Sequence, residues 1–157
     1  HFDSEGYPSQ STQVVENGKL RTYLHNTVTS AKDGVANTGN GARGYKGDLS
    51  ISPSNFYMKP GTTTREDLMK AQPRIIEIVG LQGLHSGANP ISGDFSLGGE
   101  GFLWENGVRQ HSLQMFTVSG NIINLLRDVQ CVADDFKFQI NSFGASSALI
   151  GSLSISS

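Results

Sequence analysis

One stretch matches a cofactor motif letter for letter. Gly39-Asn40-Gly41-Ala42-Arg43-Gly44 reads G-x-G-x-x-G. Holding a pyrophosphate with that motif takes a strand before it and a helix dipole after it. Here Asn37-Thr38 precede it and Tyr45-Lys46-Gly47 follow, so the composition predicts a loop that needs positive φ, not a dinucleotide site. A zinc hydrolase of the H-E-x-x-H type needs two histidines on one helical face. His1, His25, His85 and His111 have no histidine partner at i+3 to i+5, and are expected at the surface or in hydrogen bonds. Cys131 follows an apolar stretch and precedes Val132-Ala133, a setting that predicts a buried, inert thiol. Ser86 sits in Gly83-Leu84-His85-Ser86-Gly87, where Leu84 takes the place of the first glycine of a G-x-S-x-G elbow. The carboxylate pairs Asp134-Asp135 and Glu66-Asp67 are sequence neighbours. Neighbours in a strand point to opposite faces, so both pairs are expected as solvated turn and helix-start residues. Phe102 and Trp104 share a parity and are expected to pack on one side of a hairpin. These residues predict no self-sufficient catalytic centre: no catalytic residue and no metal ligand.

The elements that would position such residues are short. The chain has 157 residues, 19 of them glycine, and a formal net charge of −2. That length predicts a single domain over 1–157 with a core large enough to need no disulfide. A lone cysteine makes no internal disulfide and fits a cytoplasmic location. Lys and Arg are scattered, which argues against direct nucleic-acid binding. No apolar run reaches the roughly 18–20 residues of a membrane helix. The chain begins at His1-Phe2-Asp3 rather than Met, which is compatible with a processed product or a fragment of a longer protein.

Glu16-Asn17-Gly18 and Glu105-Asn106-Gly107 each sit between β-forming stretches, and Asn-Gly is the strongest short hairpin signal. The shared tripeptide reflects turn chemistry rather than an internal repeat. Asp48–Ser52, Asn55–Lys59, Asp94–Leu97, Leu113–Ser119, Phe136–Ile140 and Ala148–Ile155 read as strands, and Arg74–Leu81 as a buried one. Thr63-Thr64-Arg65-Glu66 has capping-box spacing, predicting a helix from Thr63 through about Lys70 that stops before Pro73. Asn121–Val129 has the apolar spacing of a one-sided helix. The expected fold is mainly β: an antiparallel, partly open barrel-like architecture with two or three short helices.

Taken in order, several motifs resemble the C-terminal domain of the TldD/PmbA (TldE) family, also known as modulators of DNA gyrase. Phe2-Asp3-Ser4-Glu5-Gly6-Tyr7-Pro8 is similar to F-D-D-E-G-x-P. The first hairpin with Tyr23-Leu24-His25-Asn26 is similar to E-D-G-x-L-x-x-x-L-H-D. Thr38–Arg43 is similar to T-G-N-x-x-R, and Asn89–Ser96 to N-x-x-T-G-D-F-S. Glu105-Asn106-Gly107 and Ser119-Gly120-Asn121 are similar to the later E-N-G and S-G-N. The resemblance implies the C-terminal part of a metallopeptidase system with two related subunits, acting on unfolded peptides. In the TldD-type subunit an H-E-x-x-x-H helix upstream and a later Cys bind the metal. That Cys would fall near Phe143–Ser147, where none stands. The resemblance therefore implies the metal-free PmbA/TldE-type subunit, with no cofactor in this chain and zinc in a TldD-like partner. It implies pairing with that partner or with itself, and binding of an extended peptide without nucleic acid or membrane. The glycine-rich 83–95 stretch is the expected substrate-side loop, with Ser86, Gly87, Asn89 and Asp94 as peptide-binding residues. The alternatives are a non-enzymatic regulatory domain of the gyrase-modulator type, and part of a homodimeric peptidase with different metal ligands.

Overall fold

A computed structural model describes residues 2–140 and 142–156. The chain divides into two compact units, residues 1–56 with 140–143, and residues 57–139 with 144–157.

In the first unit, Asn17 and Gly18 take φ of 49° and 73° and close a hairpin between β1 (Val15–Glu16) and β2 (Lys19–Leu20). This is the double positive φ that a type I′ turn requires. Helix α1 (Thr27–Asp33) follows, at a place the sequence reading left without an element. Its residues are poor helix formers, but both ends are fixed. Asn26 caps the N-terminus, accepting from the Thr29 N–H, and Gly34 closes the C-terminus in the left-handed conformation. β3 (Gly41–Ala42) pairs antiparallel with β4 (Ser50–Ile51). The chain leaves the unit through β5 (Phe56–Tyr57).

The second unit opens with α2 (Arg65–Met69). Its N-cap is Thr64, whose hydroxyl accepts from the Asp67 N–H at 3.1 Å. The cap therefore lies one residue beyond the predicted Thr63, whose hydroxyl instead meets the Cys131 thiol. Next come β6 (Arg74–Gln82), the single turn α3 (Leu84–Gly87), β7 (Asp94–Glu105) and β8 (Val108–Asn121). β7 and β8 form one long hairpin around Asn106 and Gly107, with φ of 49° and 77°. α4 (Ile122–Arg127), β9 (Val129–Val132), β10 (Lys137–Phe138), β11 (Phe143–Ala145), β12 (Ala148–Ile150) and β13 (Ser154–Ser156) complete the chain. The main sheet is antiparallel in the order β13-β8-β7-β6, and β12 pairs with β9. The fold is mainly β with four short helices, and its separate antiparallel sheets do not close into a barrel.

Alternation along β7 buries Leu97, Gly99, Gly101 and Leu103 while Ser96, Gly98 and Glu100 face out, the period of two of a half-buried strand. Gly101 is required where it stands: a Cβ there would lie 1.8 Å from the Glu77 carbonyl oxygen. A second cluster holds Leu68, Met69 and Ala133, with Ile75, Trp104 and Leu149 packed against it. Trp104 is thus a core residue, as its parity suggested, and its indole N–H donates to Glu77 at 2.8 Å. The Phe102 ring lies 4.5 Å beneath the Arg109 guanidinium. Among the described residues no helix is long and apolar enough to cross a membrane.

Candidate functional site

The motifs quoted above condense into two polar clamps, one in each unit. In the first unit, Asp3 Oδ1 accepts from the Glu5 and Tyr7 N–H groups, and Asp3 Oδ2 accepts from Gly41 N–H at 2.8 Å. Burial raises the Asp3 pKa, but these three backbone donors outweigh it and hold the carboxyl below its usual value. Glu5 accepts from Thr27 N–H at the start of α1. Thr38 accepts from His25 N–H at 2.6 Å and donates to the His25 carbonyl at 3.0 Å. His25, Asn26, Ser30, Asn37 and Thr38 are all buried. Beside this clamp lies an open cleft of about 310 Å³ between the Phe2–Ser4 and Gly39–Ala42 segments.

The expected positive-φ glycine of the G-x-G-x-x-G stretch is Gly39, at 67°. Gly41 enters β3, and its missing Cβ makes room for the Glu5 and Asp3 carboxylates. His25 Nδ1 lies 3.3 Å from the Thr29 hydroxyl and 4.0 Å from Asp33, a hydrogen-bonded histidine as expected. His85 lies on α3 and His111 on β8, both exposed, while His1 is outside the described residues.

In the second unit, Asn89 Oδ1 accepts from Ile91 and Ser92 N–H, and the Asn89 main chain bonds Asp94 and Gly93. Asn121 Nδ2 donates to the Ser92 carbonyl at 2.9 Å and to Asp94 Oδ1 at 2.8 Å. The Asn121 side chain, followed by that of Ser92, lowers the Asp94 pKa. Of the four expected peptide-binding residues, Asn89 and Asp94 therefore shape the 89–94 turn from within. Gly87 is pressed against β7, where a Cβ would lie 2.2 Å from the Ser96 carbonyl oxygen. Ser86 stands exposed on α3. The partner that fixes this turn, Asn121, was missed as a functional residue, although its S-G-N motif marked it. Next to Asn121 runs a groove of about 350 Å³, bordered by Asn124, Arg127, Asp128 and Ser152.

Two residues depart from their expected settings. Cys131 is half-buried rather than buried, and its thiol donates to the Thr63 hydroxyl at 3.2 Å. Asp135 is not a solvated turn residue. Ser147 gives it an N–H at 2.8 Å and a hydroxyl at 2.7 Å, and Arg65 lies 4.0 Å away. Sequence adjacency to Asp134 carried no sign of these distant partners. The 143–147 stretch, where the resemblance places a metal-binding Cys, thus holds Ser147 bound to Asp135, while the Ser146 hydroxyl has no hydrogen-bond partner among the described residues. Among the described residues no group of three or more His, Cys, Asp or Glu could hold a metal ion. The residues present do not fit such a centre.

The sheets and the two clamps define a mainly β domain built of separate antiparallel sheets. The motif order makes it more specific: the chain belongs to the PmbA/TldD metallopeptidase family. The family profile described as the PmbA/TldA metallopeptidase C-terminal domain matches residues 1–157. A Haemophilus influenzae protein named metalloprotease PmbA homolog is 32% identical over 141 residues, covering 89% of this chain and 29% of its own length. A crystal structure from Thermotoga maritima, of a candidate modulator of a DNA gyrase, aligns with TM-score 0.90 and 41% identity over 99% of this chain and 35% of its own. The crystal structure of TldE from Thermococcus kodakarensis aligns with TM-score 0.89 and 25% identity, covering 99% of this chain and 36% of its own. The chain thus spans about a third of these relatives' length.

Proposed function

We propose that this chain is the C-terminal domain of the metal-free, PmbA/TldE-type subunit of a peptidase system that processes unfolded peptides. In this reading it supports pairing with a TldD-like subunit, which carries the zinc, or with a second copy. Its own task is to hold an extended peptide by strand addition, which needs main-chain hydrogen bonds and little sequence preference.

The supporting observation is the edge strand β6. It is nine residues long and lies at the end of the main sheet, with β7 as its only neighbouring strand among the described residues. The Pro73 carbonyl accepts from Asn106 N–H at 2.8 Å, across the β6–β7 ladder. By two-residue alternation the main-chain groups of Arg74, Ile76 and Ile78 face the open side. A long apolar edge without lysine or internal proline is normally covered in a native protein. The loop carrying Ser86, Gly87, Asn89 and Asp94 follows β6 directly. There Asn89 and Asp94 would hold the turn while Ser86 offers its hydroxyl to the peptide.

The test compares Ile76→Ala with Ile76→Pro in the intact protein. Alanine removes the side chain but keeps the outward N–H, whereas proline removes both and spares the ladder to β7. One net hydrogen bond is worth about 1 kcal/mol, so proline should weaken binding of an unfolded peptide about fivefold beyond alanine. Equal affinities of the two variants would exclude this edge as the binding strand. Elemental analysis of the intact protein tests the subunit assignment, because one zinc per chain contradicts the metal-free reading.

A further inference from the structure

The peptidase reading makes no chemical use of the Asn-Gly pairs. The sequence has three: Asn17-Gly18, Asn40-Gly41 and Asn106-Gly107. An asparagine followed by glycine is chemically reactive, because no side chain shields the next amide nitrogen. That nitrogen attacks the asparagine side-chain carbonyl carbon. A new C–N bond forms as the bond from that carbon to the side-chain nitrogen breaks, and the –NH2 group leaves as ammonia, taking up through solvent the proton lost from the attacking N–H. The succinimide takes up one water and opens at either carbonyl, leaving aspartate or isoaspartate. Nothing is oxidised or reduced, and water is the only co-reactant.

The three pairs sit in different surroundings. Asn40 is restrained at both reacting groups. Its side-chain amide donates to the Ser52 carbonyl at 3.2 Å, and the Gly41 N–H is held by the Asp3 carboxylate at 2.8 Å. Attack there must first break a charge-assisted hydrogen bond, among the strongest a backbone amide makes. Asn106 has the same turn conformation as Asn17, with φ of 49° at both. However, it caps strands of 12 and 14 residues inside a four-stranded sheet. Its N–H is bonded to Pro73, and the Lys70 side chain lies over Gly107. The turn cannot rotate toward attack without opening that ladder.

Asn17 has none of these restraints. Its hairpin has two-residue strands, and among the described residues no third strand joins them and no atom outside the immediate chain neighbours comes within 4 Å of a Cβ placed on Gly18. A two-stranded hairpin is marginal in water and opens at low cost.

We infer that Asn17 is a spontaneous deamidation site, and that the fold protects Asn40 and Asn106 from the same reaction. The isoaspartate product adds a methylene to the backbone of a two-residue turn and a negative charge next to the Glu16–Arg21 ion pair, which is 2.7 Å long. The chemical class of enzyme that would act on it is a methyltransferase specific for isoaspartyl carboxyl groups.

The experiment ages the intact protein in mildly alkaline buffer and follows each Asn-Gly peptide by mass spectrometry, with fragmentation that separates aspartate from isoaspartate. Asn17 should convert at least about tenfold faster than Asn40 or Asn106, a barrier difference of about 1.4 kcal/mol. In concentrated urea the three rates should converge. Comparable native rates, a lead by Asn40 or Asn106, no conversion at Asn17, or the same ranking in urea would each overturn the inference.

Discussion

Replacing Asp135 by alanine removes the carboxylate that ties the start of β12 to the rest of the second unit. Ser147, immediately before β12, gives Asp135 two hydrogen bonds, at 2.8 Å from its N–H and 2.7 Å from its hydroxyl. The Ser147 carbonyl in turn accepts from Ala133 N–H at 2.8 Å, and Ala133 is fully buried. Hydrogen bonds to a charged group contribute about 1.5–3 kcal/mol each. The Asp135 side chain is 24% exposed and Arg65 stands off at 4.0 Å, so the ion pair adds little to that sum. Two such bonds sum to about 3–6 kcal/mol; partial exposure of the carboxylate screens them, so Asp135→Ala should cost about 2–4 kcal/mol. Ser147→Ala, which spares the N–H bond, should cost about 1–2 kcal/mol. The double variant should fall short of additivity by about 1–2 kcal/mol. Burial raises the Asp135 pKa, but the Ser147 hydroxyl and N–H, with Arg65, bring it below the ordinary value. A lowered carboxylate pKa stabilises the fold above the unfolded value, about 3.9, and that stability fades as pH falls through the folded value. The cost of Asp135→Ala should thus be full near neutrality and shrink below about pH 4. Urea titrations of the intact protein at several pH values measure it, and native-state exchange of the Ser147 amide localises it. A cost that does not change with pH, or additive single variants, would refute the clamp.

Two further outcomes are expected. Thr64→Ala should lower stability by about 1 kcal/mol through loss of the α2 cap, and Thr63→Ala by less, as read from paired denaturation curves. Gly101→Ala places a methyl 1.8 Å from the Glu77 carbonyl oxygen, which forces β6 and β7 apart. It should cost more than about 3 kcal/mol or prevent folding, as seen by circular dichroism.

The parts of the fold that were legible in sequence are those decided by local chemistry. Both Asn-Gly turns appear where expected because positive φ is a property of two adjacent residues. The strand at Arg74–Gln82 and the helix near Ile122–Arg127 appear where their apolar patterns put them, but the strand expected to be buried is a half-exposed edge strand, because no further strand covers it among the described residues and its apolar run does not encode a position in the sheet. What escaped depends on partners far along the chain. The capping box slipped by one residue because Thr63 and Thr64 offer the same hydroxyl. Tertiary structure decides between them, bridging Thr63 to Ala133 and giving its hydroxyl to Cys131. α1 was missed because its β-branched and small residues carry no apolar stripe, and only Asn26 and Gly34 mark its ends. Within the candidate site, Asn89 and Asp94 were recognisable as important from their motif. Their part in holding the turn was not, because Asn121 lies 27 residues beyond Asp94.

The exposed surface bears on how these pieces act together. A free-standing protein of 16.8 kDa exposes about 7,700 Å² by the usual scaling, and two separate bodies of the two units' sizes would expose about 9,200 Å². This chain exposes 11104 Å². The excess over either reference, about 1,900–3,400 Å², is the size of a substantial protein interface. Several large apolar side chains stand in the exposed surface. Ile91, at the tip of the clamped turn, is 96% exposed, and Met115 is 92% exposed on a β8 bulge at a φ of 56°. Val79 and Leu81 are exposed on β6 itself. Main-chain donors and acceptors along β6 suit an extended peptide, whereas the scattered apolar side chains suit folded surfaces of the same protein or of a second subunit. In the proposed reading, the β6 edge is left for the peptide and the scattered apolar surface for assembly.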